Sequence, residues 1–167
     1  NRDEVTGTLY QLRQQTMKTS SGYQLSLSDF VAPVSLGVAD YIAIFAATAG
    51  DGLQIYLDRF EKEHDDYASL MVKALADRLA EAFTEWLHQK VRKEWWGFAG
   101  DEQLSMDDIF QARYQGIRPA YGYPSCPDHS EKRNLFDLLQ AEKHTGIKLT
   151  DTFAMDPVSS VSGLIFS

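Results

Sequence analysis

The chain has 167 residues, 44% of them hydrophobic and 12% aromatic, enough apolar material for one sizeable core. A net charge of −8 and a pI near 4.9 exclude sequence-independent nucleic-acid binding, which needs clustered Lys and Arg to neutralise phosphates. The single cysteine, Cys126, excludes an internal disulfide framework and fits a reducing cytosol, and no apolar run is long enough to span a bilayer.

In chain order, Val5, Leu9 and Leu12 recur at helical spacing, which predicts a helix from Asp3 to about Thr16 with Asp3 in its first turn. Ser20, Ser21 and Gly22 break that pattern. Leu25, Leu27, Phe30 and Val31 then read as a short extended segment closed by Pro33. Val38 to Thr48 is dense in apolar, β-branched and aromatic residues and predicts a buried strand, ended by Gly50 and Gly52. From about Leu53 a long helical stretch runs to roughly Trp96, interrupted near His64, Asp65 and Asp66.

The second part of that stretch shows the strongest periodicity in the chain. Tyr67, Leu70, Met71, Leu75, Leu79, Phe83 and Trp86 recur at three- and four-residue steps and predict a broad core-facing stripe. Asp77 and Glu81, one turn apart on the same helix, read from spacing as a solvated acidic ridge. Trp86, Trp95 and Trp96 read as core and helix-end packing. Ser105 and Asp108 form a capping box that opens a further helix. After the next loop, Asp128 or Ser130 is expected to cap a helix through Leu135, Phe136, Leu138 and Leu139 that stops at Gly146. Ile147 to Leu149, Thr152 to Met155 and Val161 to Phe166 read as short strands, the last of them an apolar edge expected to lack its partner and to favour self-association.

The loop from Tyr114 to His129 carries the chemistry. Gly116 and Gly122 open backbone conformations closed to other residues, while Pro119, Pro124 and Pro127 fix φ, so the segment can hold one irregular shape. Arg118 offers a planar fork for a carboxylate, and Tyr121 and Tyr123 offer aromatic faces. The alternative is an ordinary surface connection. Cys126 and His129 lie close in sequence, but His64, His88 and His144 supply no second half of a zinc motif, so no metal site is expected. A packed or partly exposed thiol is a simpler reading of Cys126 than a nucleophile. No GxSxG, P-loop or strand-preceded GxGxxG is present.

The run from Gly116 to Lys132, GIRPAYGYPSCPDHSEK, resembles the S-adenosylmethionine-binding loop of the activation domain of cobalamin-dependent methionine synthase, whose signature is Arg followed by Pro-Ala-x-Gly-Tyr-Pro. Matching stretches include Leu9 to Gln15, Leu27 to Pro33, Val38 to Ile42, His64 to Tyr67, Met71 to Phe83 and Glu142 to Ile147. The resemblance implies an α+β fold: a C-shaped single domain, residues 1–167, with a twisted antiparallel sheet and helices packed around it, truncated at both ends. It implies that Arg118 meets the ligand carboxylate, Glu81 its ammonium, and the backbone around Ala120, Gly122 and Tyr123 the adenosine part. Tyr121 departs from the family, where proline or alanine is usual, and is expected to narrow the pocket.

The same resemblance implies a cytoplasmic reactivation module that presents S-adenosylmethionine for the reductive methylation of Cob(II)alamin. Cobalamin would be held mainly by another domain of the same polypeptide, with electrons from a flavodoxin-type donor and no acid, base or nucleophile from this chain. No nucleic-acid or membrane partner is expected. A free-standing S-adenosylmethionine-binding or corrinoid-associated regulatory or interaction module is the alternative.

Overall fold

The architecture is ordered by one long helix, α2, Asp66–Lys90, in a computed structural model that describes residues 4–16 and 22–167. Ahead of it lie strand β1, Ala43–Thr48, and helix α1, Leu53–Lys62. Behind it come the short helices α3, Met106–Phe110, α4, Lys132–Leu139, and α5, Ala141–Thr145, then strands β2, Lys148–Leu149, β3, Met155–Asp156, and β4, Ser160–Ile165. β1 pairs with β4, and β2 pairs antiparallel with β3 in the register Lys148 to Asp156 and Leu149 to Met155. The expected α+β mixture is thus present, with the strands in two small sheets. The chain divides into two compact units, one made of Asn1–Leu9, Phe45–Glu85 and His129–Ser162, the other of Tyr10–Ile44, Trp86–Asp128 and Gly163–Ser167.

In the first unit, α2 begins where Asp65 Oδ1 accepts the Ala68 amide at 2.9 Å, satisfying one of the free N–H groups of the first turn. The break before it falls at His64, which takes a positive φ of 54°. Ala76, Ala80 and Thr84 are the buried positions of α2 in this unit, each four residues from the next. The large apolar side chains predicted to face the core do not. Tyr67 is 73% exposed, Leu70 64%, Leu75 57% and Leu79 54%. The buried stripe therefore lies one residue round the helix from the predicted one, a rotation of about 100°, and small residues fill it.

The core of this unit gathers Phe45 and Ala47 of β1, Leu135 and Phe136 of α4, Ala141 of α5, and Ile147. Ala49 N–H donates to Ser159 O at 2.9 Å, and Ser160 Oγ to Thr48 Oγ1 at 2.9 Å, joining the ends of β1 and β4. The predicted single helix after the loop is two, broken at Gln140 with φ 48° and stopped at Gly146 with φ 74°. The N-cap position of α4 is Glu131 rather than Asp128 or Ser130, following a single 3-10 turn, and buried Lys132 braces the entry, its Nζ donating to His129 Nδ1 at 2.9 Å and Phe153 O at 3.1 Å.

Two predictions near the N-terminus fail. No helix forms between residues 4 and 16, and Asp3, Ser20 and Ser21 lie outside the described residues. In the first unit Gly7 passes so close to Leu138 that a Cβ would meet its side chain at 3.0 Å. In the second, Gln14 N–H donates to Leu25 O at 2.8 Å and Arg13 reaches Gln24 O and both oxygens of Asp29 at 2.6–2.8 Å. Tertiary pairing overrides the helical spacing, since local propensity is a weak determinant on its own. The segment expected to be extended is a 3-10 turn, Leu27–Phe30, because Ser26 and Asp29 close a capping box around it. The Ser105 and Asp108 capping box forms as predicted and opens α3.

A candidate ligand loop above a buried charge cluster

The second unit holds the loop that carries Arg118, and its backbone is pinned before its shape becomes irregular. Ile117 and Phe166 exchange both backbone hydrogen bonds at 3.0 Å, and Leu164 N–H donates to Pro119 O at 3.0 Å. The last residues of the chain therefore have a partner: Leu164, Ile165 and Phe166 are 0–1% exposed. The unpaired edge expected from sequence is absent, because the loop itself supplies the pairing strand. Gly116 can be nothing larger here. Its φ is +88°, and a Cβ would fall 2.6 Å from Phe166 O.

Beyond Pro119 the chain leaves that pairing and turns at Gly122, φ 100°. Gly122 N–H donates to Cys126 O and Cys126 N–H to Tyr123 O, both at 2.9 Å, so the turn is closed on itself. Tyr121 is 3% exposed, and its hydroxyl accepts from Gln11 Nε2 at 3.2 Å. Cys126 is 3% exposed, its Sγ donates to Ala120 O at 2.9 Å, and burial pushes its pKa up, so it is a packed thiol rather than an activated one.

Arg118 and Ala120 are half-buried, while Gly122 and Tyr123 are exposed. These four predicted contact residues lie on one loop of the second unit. Glu81 is exposed on α2 in the first unit, and on the preceding turn Asp77 accepts from Ser159 Oγ at 2.6 Å. A cavity of about 640 Å³ flanks the loop, lined by Leu12, Leu27, Phe30, Ile117, Pro124 and Pro127 among others, and none of the four contact residues borders it. Among the described residues no group of three His, Cys, Asp or Glu side chains is placed to hold a metal ion, and no helix is long and apolar enough to cross a membrane.

Sequence reasoning missed what lies in the same unit at the end of α2. His88 and Arg92 are both 0% exposed. Arg92 binds Glu102 through two hydrogen bonds of 2.8 Å, and its guanidinium stacks 4.2 Å from the centroid of the Tyr114 ring. His88 meets the same ring edge-on at 4.9 Å. Neither His88 nitrogen nor Arg92 Nη1 has a hydrogen-bond partner among the described residues. Burial first, then the positive charges of Arg92 and Arg118, hold the His88 pKa down to about 3, so the imidazole is neutral. The helix ends in a π turn, Val91–Trp95, where Trp96 N–H reaches back to Val91 O at 3.0 Å. Trp96 packs on Tyr41 and Phe98 as a helix-end residue should, whereas Trp95 is 63% exposed. The available signal was the four-residue spacing of Ala76, Ala80, Thr84 and His88, which extends the small-residue stripe into the cluster.

Comparison with known proteins agrees with the loop. All of residues 1–167 match the family described as vitamin B12 dependent methionine synthase, activation domain. A solved structure described as the MetH reactivation domain bound to AdoHcy is similar at 57% sequence identity, with a TM-score of 0.89 over 95% of this chain. The match covers 48% of that protein's chain, so the present chain spans about half its length. The chain belongs to the vitamin B12 dependent methionine synthase activation-domain family.

Proposed function

We propose that this chain is the S-adenosylmethionine-binding part of a reactivation module in a cytoplasmic cobalamin-dependent methionine synthase. The reading rests above all on the 57% identity to a reactivation domain bound to AdoHcy, the demethylated product of that donor. The loop fits such a ligand. Arg118 is half-buried on a backbone pinned on both sides, which suits a guanidinium fork that must meet a carboxylate in one geometry. Backbone at Ala120, Gly122 and Tyr123 borders the adenosine part, and Glu81 takes the ammonium.

When bound, S-adenosylmethionine supplies an electrophilic methyl on its sulfonium. This chain's own residues bind and orient it, and their contribution to rate is placement rather than proton transfer. On this reading cobalamin belongs mainly to another domain of the same polypeptide. Reductive methylation of Cob(II)alamin would draw its electron from a flavodoxin-type donor.

The test is to measure two rates in the parent enzyme carrying Glu81→Gln. Reductive reactivation should slow while turnover from methyltetrahydrofolate stays unchanged, because primary turnover does not use this site. An equal loss in both rates would assign Glu81 to folding or domain docking and reject its role at the ligand.

A further inference from the structure

We propose that Cys126 is a positioning residue for the ligand loop: by donating its S–H to the Ala120 carbonyl it closes the turn from Ala120 to Cys126 onto the pinned segment that carries Arg118. This rests on the ligand reading above and goes beyond it by naming a residue that touches no ligand and acts through Ala120.

The carbonyls along this stretch show why the thiol matters. Ile117 O and Pro119 O accept from Phe166 and Leu164, so the backbone on both sides of Arg118 is tied to the end of the chain. At Ala120 that pairing stops. Its carbonyl accepts from Cys126 Sγ at 2.9 Å, and from there the chain swings through Gly122 at φ 100°, a conformation that leaves the turn free to hinge unless something returns it. Cys126 returns it three times: its carbonyl accepts from Gly122 N–H, its amide donates to Tyr123 O, and its thiol donates to Ala120 O. The proposed contact residues Ala120, Gly122 and Tyr123 are the three partners.

A thiol is a weak donor in water. Here it is 3% exposed, so water competes little for the bond to the Ala120 carbonyl. Burial also pushes the thiol pKa up, which keeps the proton on sulfur. A site whose backbone must already have the bound shape gains affinity by avoiding the ordering cost on binding.

The experiment uses the protein with Cys126→Ala and Cys126→Ser, reading amide hydrogen exchange by NMR and calorimetric titration with S-adenosylhomocysteine. Cys126→Ala removes the donor and should speed exchange at the Gly122 and Cys126 amides by about tenfold, the scale of one lost hydrogen bond, and weaken the ligand by a similar factor. Exchange at Leu164 and Phe166 should stay unchanged, since their partners are Pro119 and Ile117. Cys126→Ser restores an O–H donor and should recover both readings to within about twofold of wild type. Exchange and affinity unchanged in the alanine variant would overturn the proposal, as would a serine variant as disturbed as alanine, which would assign the effect to side-chain volume. The exchange readings need no ligand, so failure of the wild-type protein to bind would refute the ligand reading while the closure of the turn is decided separately.

Discussion

Acidification from pH 7 to pH 5 should cost this protein about 2 kcal/mol of folding free energy through His88 alone. The imidazole is 0% exposed, and burial, Arg92 and Arg118 together hold its pKa near 3. Tyr114 faces it edge-on, and Glu102, the nearest named acid of the cluster, is committed to Arg92. In the unfolded chain a histidine takes its proton near pH 6.5, and each tenfold difference in proton affinity is worth about 1.4 kcal/mol. Because the folded value lies below the unfolded one, the unfolded state binds the proton first. The stabilisation is present above about pH 6.5, falls by about 2 kcal/mol at pH 5, and falls by about 4 kcal/mol at pH 3. Asp29, Asp40 and Asp108 are also held low by hydrogen bonds, but their contributions persist above the ordinary carboxylate range and are lost only below it, as pH falls through their lowered values. Urea unfolding followed by tryptophan fluorescence across this pH range, in wild type and in His88→Gln, isolates the effect. The variant should lose most of the slope between pH 7 and pH 5, whatever its absolute stability. Equal slopes in the two proteins would refute the reasoning.

Other consequences are as direct. Glu102→Gln leaves Arg92 buried without its carboxylate and should destabilise the fold by about 3–5 kcal/mol in urea titration, and a loss below about 1 kcal/mol would contradict a tightly desolvated pair. The exposed stripe of α2, with Leu75 and Leu79 more than half exposed, should drive concentration-dependent self-association of the 167-residue chain in sedimentation velocity. Leu75→Glu should abolish that association, and a wild-type protein monodisperse at high concentration would show that the stripe is not adhesive. Gly116→Ala should destabilise strongly because both φ and the 2.6 Å approach to Phe166 O exclude a side chain, and unchanged thermal stability would contradict that geometry.

What could be read from the sequence was local chemistry. The interruption at His64, the Ser105 capping box and the stop at Gly146 all appear, because each depends on residues within a few positions of one another. The Arg118 loop was legible for the same reason, its glycines and prolines announcing a fixed irregular shape. Long-range choices were not. Leu75 and Leu79 are the more hydrophobic side chains on α2, yet Ala76 and Ala80 are buried, and periodicity alone does not say which stripe the fold covers. Residues 4–16 have helical spacing, but Gln14 and Arg13 find partners at Leu25, Gln24 and Asp29. The pairing of Ile117 with Phe166 joins segments far apart in the chain, so Val161 to Phe166 looked like an orphan edge. Nothing in local spacing marks Arg92 and Glu102 as a buried pair, because their burial comes from the fold.

The central claim is that the Arg118 loop binds S-adenosylmethionine, and calorimetric titration of wild type beside Arg118→Ala tests it most directly. Saturable binding by the wild type and a loss of about 1.5–3 kcal/mol in the alanine variant are predicted, the scale of a charged hydrogen bond, with Arg118→Lys recovering only part because it keeps the charge and loses the fork. Unchanged affinity in Arg118→Ala, or no binding by the wild type, would contradict the account.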